Sequence, residues 1–332
     1  MIPACFGQPT TPRSSSQCQL SQNLITCIYQ IQLCNSPSYV TLSWSRTLFS
    51  HSLTIYASDA FSTTISLNSS TLSFFRTRPS SKSIYLTRRH FQKIKLYWDF
   101  TRAQFCQNYA EPESCFYIAI SCNDRLEFFL GDLFDDFIRR SAALATTHQP
   151  TDPIILSRRE HVFGSRSYTS RAQFLGSKHE IEIEYNGGML RVKVDGKIRL
   201  VVKRLAWKFR GNEKIFIDDV EVEFYWDVFT WVNNSNGNYG NGHGVFVFQV
   251  GDGGVWPEIM GQEKRLMGKS LSVSSGPAMI SLSPSPSNSS VLQWAEESSS
   301  DGGRSSCSSS TRSCGSNANS GFSLLLYAWR RD

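Results

Sequence analysis

The chain of 332 residues contains no run of 18 or more apolar residues, which excludes a membrane-spanning helix. None of its nine cysteines stands in a C-x2-C pair, so a structural zinc site has no support. No H-E-x-x-H and no G-x-S-x-G occurs, and the six histidines lack ligand spacing. The nearest approach to a phosphate loop, Gly268-Lys269-Ser270, has Glu263 where the first glycine belongs. Gly240, Gly242 and Gly244 precede a strand-like segment rather than a helix, so no helix dipole would face a phosphate. No cofactor is therefore implied.

Acidic residues are almost missing from the first third. Met1 to Trp98 holds nine Lys/Arg against one acid, Asp59, and so carries +8 of a chain whose total is +6. A basic segment of this kind suits an anionic partner. Met1 to Gln22 is poor in Arg, has no amphipathic pattern and no secretory h-region, which predicts an intracellular protein, cytoplasmic or nuclear. The alternative is an organelle reached by an atypical transit segment. An odd cysteine count in a large chain with no visible secretory signal predicts reduced thiols and no obligatory disulfide.

What is present is β-rich. Short runs of Val, Ile, Thr, Tyr, Phe and Trp, bounded by Ser, Asn, Asp and Gly, predict a mainly β, antiparallel sandwich-like body. The plainest stretch is Glu180 to Arg210. Ile181, Ile183 and Tyr185 alternate with Glu180, Glu182 and Glu184, then Asn186-Gly187-Gly188 turns the chain. Leu190, Val192 and Val194 alternate with Arg191 and Lys193, and Asp195-Gly196 marks a second hairpin. One amphipathic helix is expected over about 132–145, capped by Asp132, with acids early and arginines late. From Ser270 to Ser320 there are 21 serines, a composition that predicts disorder. The apolar run Phe322 to Trp329 then predicts a last strand docking back on the body.

The division expected is a flexible tail at 1–20, an N-terminal β half at 21–105 and a C-terminal β half with the helix at 106–252. A Ser-rich disordered segment at 253–320 and a closing strand at 321–332 follow. An internal echo accompanies it: Lys95-Leu96-Tyr97-Trp98-Asp99-Phe100 is matched by Glu223-Phe224-Tyr225-Trp226-Asp227-Val228. Two related halves, or recurrence among aromatic strands, would each produce it. Both Trp-Asp pairs read as architectural, since Asp at a strand end closes turns.

Two groups of residues are candidates for binding. Ser157 to Gly164 concentrates polar side chains, which read first as salt bridges on the surface or between domains and second, through Arg158, Arg159 and His161, as contacts to an anion. As neighbours in a strand, Arg158, Glu160 and Val162 would share one face and Arg159, His161 and Phe163 the other. Arg191, Lys193, Arg199, Lys208 and Arg210 form the second group. Alternation puts Arg191, Lys193, Lys197 and Arg199 on one outer face, and Lys208 and Arg210 opposite Trp207 and Phe209. Either that face is solvated and partly neutralised by Glu180, Glu182 and Glu184, or its surplus charge engages a protein or a polyanion: a phosphorylated protein, an acidic lipid headgroup or RNA. The functional reading is a non-enzymatic interaction module. Its alternative is a hydrolase acting on a carbohydrate or phosphoester near Arg158–His161.

Several stretches in order resemble the plant domain-of-unknown-function 868 family. They are Ile25 to Gln30, His51-Ser52-Leu53, Tyr97-Trp98-Asp99, Leu130 to Leu133, Ser157 to Gly164, Trp207 to Glu213 and Phe322 to Trp329. The resemblance covers roughly residues 20 to 250 and the last ten. Ser50 stands where the family usually has glycine before His-Ser-Leu, and an Asp-Gly turn is missing between Ile84 and Lys95. The resemblance implies no activity, substrate or cofactor.

Overall fold

The computed structural model describes residues 23–57, 60–67, 79–86, 92–106, 109–141, 153–233, 242–251 and 321–330. The N-terminal tail and the Ser-rich segment, for which disorder was expected, lie outside them. Among the described residues seventeen strands and two short helices follow one another in two successive blocks. The first block is β1 (Asn23–Leu33), β2 (Ser36–Arg46), β3 (His51–Ala57), β4 (Phe61–Ser66), β5 (Ser80–Leu86), β6 (Gln92–Asp99), β7 (Tyr117–Cys122), β8 (Arg125–Gly131) and α1 (Phe134–Arg140). The second begins with β9 (Ile154–Gly164) and continues with β10 (Ser167–Phe174), β11 (Ser177–Asn186), β12 (Met189–Val194) and β13 (Lys197–Val202). It ends with β14 (Arg210–Ile217), β15 (Val220–Asp227), α2 (Phe229–Asn233), β16 (His243–Val250) and β17 (Phe322–Arg330).

The strands build one nine-stranded sheet, ordered β14-β15-β16-β17-β9-β1-β2-β3-β4, and two four-stranded meanders, β5 to β8 and β10 to β13. The meanders cover the same face of the long sheet, side by side. Under β5–β8 lies a core of Ile25, Val40, Leu42, Trp44, Leu53, Ile55, Ile94, Leu96, Ile118 and Phe128, among others. Under β10–β13 lies a second core that includes Ile181, Ile183, Val192, Phe224, Trp226, Phe246, Leu324 and Leu326. Because β7 and β8 contribute to the first core, the division between cores runs through β9 rather than near residue 105. Pairing is antiparallel except between β17 and β9, which run parallel. The closing strand thus sits in the middle of the sheet.

The meander over Glu180 to Val202 forms as its alternation predicts, with Ile181, Ile183, Leu190, Val192 and Val194 facing the core. Two details differ. The two-residue turn at Asp195-Gly196 sets Lys197 opposite Val194 and Ile198 opposite Lys193, and a bulge then takes up Arg199 so that Leu200 falls opposite Val192. Trp207 belongs to the turn before β14, held by its amide to the Arg204 carbonyl at 2.9 Å, and its ring is 87% exposed rather than inward.

The helix expected over about 132–145 runs from Phe134 to Arg140 and is capped at Ser141; residues 142–145 lie outside the described residues. Asp132 does not cap it; its carboxylate instead accepts the amides of Cys115 (2.8 Å) and Phe116 (3.0 Å), and Leu133 holds the N-cap position. That arrangement follows from Gly131, whose φ of +121° lets the backbone pass against Phe116; a Cβ there would lie 2.1 Å from the Phe116 carbonyl oxygen. The helix packs Phe137 on the outer face of the β5–β8 sheet, against Tyr97, Tyr117 and Phe129.

The thiol expectation is corrected. Cys34 and Cys122 form a disulfide, with Cα atoms 5.5 Å apart, joining the β1–β2 turn to the end of β7. Spacing rules compare neighbours in sequence, and these partners are 88 residues apart. Among the described residues Cys27, Cys106 and Cys115 are free.

The sequence echo has a structural counterpart. In β5–β6, Ile84 faces Ile94 and Ser80 faces Trp98; in β14–β15, Ile215 faces Val222 and Gly211 faces Trp226. The two hairpins share one register. Asp99 accepts the amide of Thr101 and pairs with Arg140; Asp227 accepts the amide of Phe229 and pairs with Arg210. Both aspartates close a turn and anchor an arginine, the architectural role expected of them. Yet one hairpin lies in a covering meander and the other in the long sheet, so the two layers exchange places between the halves.

Candidate functional site

Two rows of side chains run across the covered face of the long sheet. One passes Trp226, Phe246, Leu326, Glu160, Ile25, Trp44, Leu53 and Ile65. The other passes Phe224, Phe248, Leu324, Arg158, Cys27, Leu42 and Ile55. Both rows are apolar apart from Cys27 and the two β9 residues, Arg158 and Glu160. The charged pair therefore marks the seam between the two cores.

The seam is closed by polar groups from both covering layers. Arg158 presents its fork to Glu111, Nη1 to Oε2 at 2.8 Å and Nη2 to Oε1 at 2.7 Å. Its Nη2 also reaches Glu160 at 3.3 Å, and Nη1 lies 3.6 Å from the Cys27 sulfur. Ser170, on β10, donates to Glu160 at 2.7 Å. Farther out, Arg171 pairs with Glu113 at 3.3 Å and stands over the Tyr109 ring. Glu111, Glu113 and Tyr109 come from the β6–β7 connection, and Ser170 and Arg171 from the second meander. The pair thus ties one covering layer to the other.

Electrostatics agree with a structural role. Burial opposes the charge on Arg158, but Glu111 and Glu160 outweigh it and hold the guanidinium well above its ordinary range. Burial pushes the Cys27 thiol up to about 12 against the pull of Arg158, so it stays protonated and unreactive. Tyr109 is likewise raised to about 12, by burial and then by Glu160.

The sequence candidates are dispersed. Arg158 is in the seam, whereas Arg159 and His161 lie on the opposite face of the sheet, as neighbour alternation requires. His161 packs beside Tyr327 and Trp329, with ring centroids 5.5 and 6.1 Å away, and burial with nearby His243 lowers its imidazole to about 4. Arg158 and His161 therefore cannot act on one substrate from this strand. On the outer face of β11–β12, Arg191 pairs with Glu184 at 3.0 Å, and Lys193 bridges Glu182 (3.2 Å) and Glu184. Arg199 occupies the bulge. Arg210 pairs with Asp227 at 2.9 Å and stands over the rings of Phe209 and Phe229. Lys208 is exposed in the turn before β14, and its carbonyl accepts the Trp226 indole N–H at 2.9 Å.

Sequence reasoning missed the residues that complete each group. Glu111 and Ser170 had no signal, because only the packing of the two covering layers onto β9 brings them to Arg158. Lys203, Arg204 and Trp207 did carry one: an aromatic set among basic residues in a turn. Arg204 adopts φ +56°, Leu205 plugs inward at 0% exposure, and Trp207 is left pointing outward. Lys203, Arg204 and Lys208 make no ion pair among the described residues.

Among the described residues no three His, Cys, Asp or Glu side chains cluster as metal ligands, and no helix is long and apolar enough to cross a membrane. No curated protein and no solved structure matches the chain. A family model described as plant protein of unknown function (DUF868) matches residues 20–330, from the first strand of the long sheet through the closing strand at its centre. The chain belongs to that family of plant proteins of unknown function.

Proposed function

We propose that the protein is a non-enzymatic interaction module that engages an anionic partner at the turn between β13 and β14. One observation carries the reading. Arg191 and Lys193 on β12 and Arg210 and Lys214 on β14 each face a carboxylate, while Lys203, Arg204 and Lys208 surround an exposed Trp207 without one among the described residues. Cations paired inside the fold have little left to offer a ligand; cations left to solvent retain their full attraction. The hydrolase alternative loses its basis, since Arg158 is committed to the seam and His161 lies on the far face.

Heparin affinity chromatography tests this. Lys203→Glu, Arg204→Glu and Lys208→Glu combined should elute at markedly lower salt than the parent, because electrostatic binding scales with the number of contacts. Lys193→Ala should elute with the parent. Co-elution of the triple variant with the parent would overturn the reading.

A further inference from the structure

The turn between β2 and β3 has the same unusual property as the turn carrying Trp207. Leu48 is 74% exposed and Phe49 80%, adjacent in the chain and both large. This exposure is built in. The Thr47 hydroxyl accepts the amides of Phe49 (3.2 Å) and Ser50 (2.9 Å), and the Thr47 amide donates to the Ser50 carbonyl at 2.7 Å. The turn is held closed by its own polar groups, and the two apolar side chains stand outward from it. Trp207 is fixed in a comparable way, between the Arg204 carbonyl that receives its amide and the Lys208 carbonyl that receives the Trp226 indole. Phe229, 40% exposed, lies beside Phe209 at 5.2 Å and extends that apolar patch.

Strand register places both turns at one end of the nine-stranded sheet. Arg210, Asp227, Val245, Tyr327 and His161 stand in line across β14, β15, β16, β17 and β9. Continuing through β1, whose Ile25 pairs with Glu160, the line reaches Ser45 and Ser52 at the root of the β2–β3 turn. The two apolar tips leave that end six strands apart, about 29 Å at the usual inter-strand spacing.

We infer that this end of the sheet docks on an anionic lipid bilayer, with Leu48–Phe49 and Trp207 entering the interface and Lys203, Arg204 and Lys208 contacting headgroups. The inference rests on the anionic-partner reading and names its source. Exposed apolar groups of this size mark interaction sites. Trp is favoured at the boundary between headgroups and hydrocarbon, where one end of the ring is wet and the other dry. Basic residues beside it add attraction to the negative surface. A linear polyanion would reward stacking rings along a groove, and Leu48 has no ring to stack. A bilayer offers apolar depth beneath negative charge at both tips at once.

Co-sedimentation separates the possibilities. The probes are vesicles of equal parts phosphatidylcholine and phosphatidylserine, vesicles of phosphatidylcholine alone, and heparin. Leu48→Ser with Phe49→Ser, and separately Trp207→Ser, alter exposed side chains and should leave thermal unfolding unchanged. Each should weaken partition onto the anionic vesicles about tenfold, a loss of apolar insertion worth roughly one decade of affinity. Neither should change elution from heparin. If the parent does not bind the anionic vesicles, or the two tip variants bind them as well as the parent does, the bilayer inference is overturned. In that event a triple Glu variant that still loses heparin binding leaves the anionic-partner reading standing. A triple variant indifferent to heparin removes both.

Discussion

The seam around Arg158 and the outer face of the β10–β13 meander are both lattices of basic and acidic side chains, and they behave differently. At the seam the Arg158 and Glu160 side chains are each 5% exposed; on the outer face Arg191 and Glu184 are 40% and 25% exposed. Removing charges from water is costly, and only good geometry with full hydrogen bonding offsets it. Arg158 has the geometry in its two-pronged contact to Glu111 with Glu160 behind it, while its buried Nε has no hydrogen-bond partner among the described residues. The outer pairs are partly hydrated and screened, so each contributes little. One lattice holds two cores in register, and the other keeps a sheet face in solution.

The sharpest way to break this comparison is Arg158→Met. It strands Glu160 in the apolar rows and should cost about 3–5 kcal/mol in urea unfolding. Adding Glu160→Leu should recover much of that loss, since Glu111 is 29% exposed and can return to water. If Arg158→Met costs no more than a surface substitution, the seam is not what joins the cores.

The disulfide sharpens the contrast between the cores, because it crosses only the first. Cys34→Ser should lower stability by about 2–4 kcal/mol, the usual effect of opening a long loop. Its loss should be matched by reductant acting on the parent. The same bond predicts different mobility of reduced and unreduced parent in a denaturing gel; identical mobility would restore the expectation of free thiols.

A smaller effect should come from His161. Its imidazole is held below the ordinary histidine value, so the folded state favours the neutral ring. Stability should be complete above about pH 6.5, the ordinary value, and should fall as pH drops toward 4, where the folded protein also takes up the proton. Unfolding midpoints across that window should decline less in His161→Phe than in the parent. An equal decline in both would assign the acid sensitivity elsewhere.

The smallest change is expected at Lys193→Ala. Two exposed carboxylates lose a shared cation, and the loss should stay within about 0.2–1 kcal/mol and shrink further in salt. A cost of several kcal/mol would erase the distinction between face and seam.

Much of the fold was legible because period-two alternation is a local property. Leu190, Val192 and Val194 alternate with Arg191 and Lys193, and no distant contact is needed to tell their faces apart. The same rule put Arg158 and His161 on opposite faces. It failed at Lys197 and Arg199, because the two-residue turn sets Lys197 opposite Val194 and Ile198 opposite Lys193 before a bulge takes up Arg199, and at Trp207, where the strand has not yet begun. The helix was misjudged at Asp132 because a capping carboxylate and one that braces a neighbouring turn look alike in sequence.

Local patterning by itself therefore determined the β class, the meander, the closing strand and the architectural role of both Trp-Asp pairs. Only the tertiary structure decided which charges are buried. Cys27 lies 131 residues from Arg158 and Glu111 lies 47 away, and nothing in either segment announces the other. Burial depends on which strands become neighbours and what covers them. Here β9 becomes the boundary between two cores because β17 docks on one side of it and β1 on the other, and that pairing makes an arginine whose salt-bridge partners the sequence leaves unnamed into the joint of the molecule.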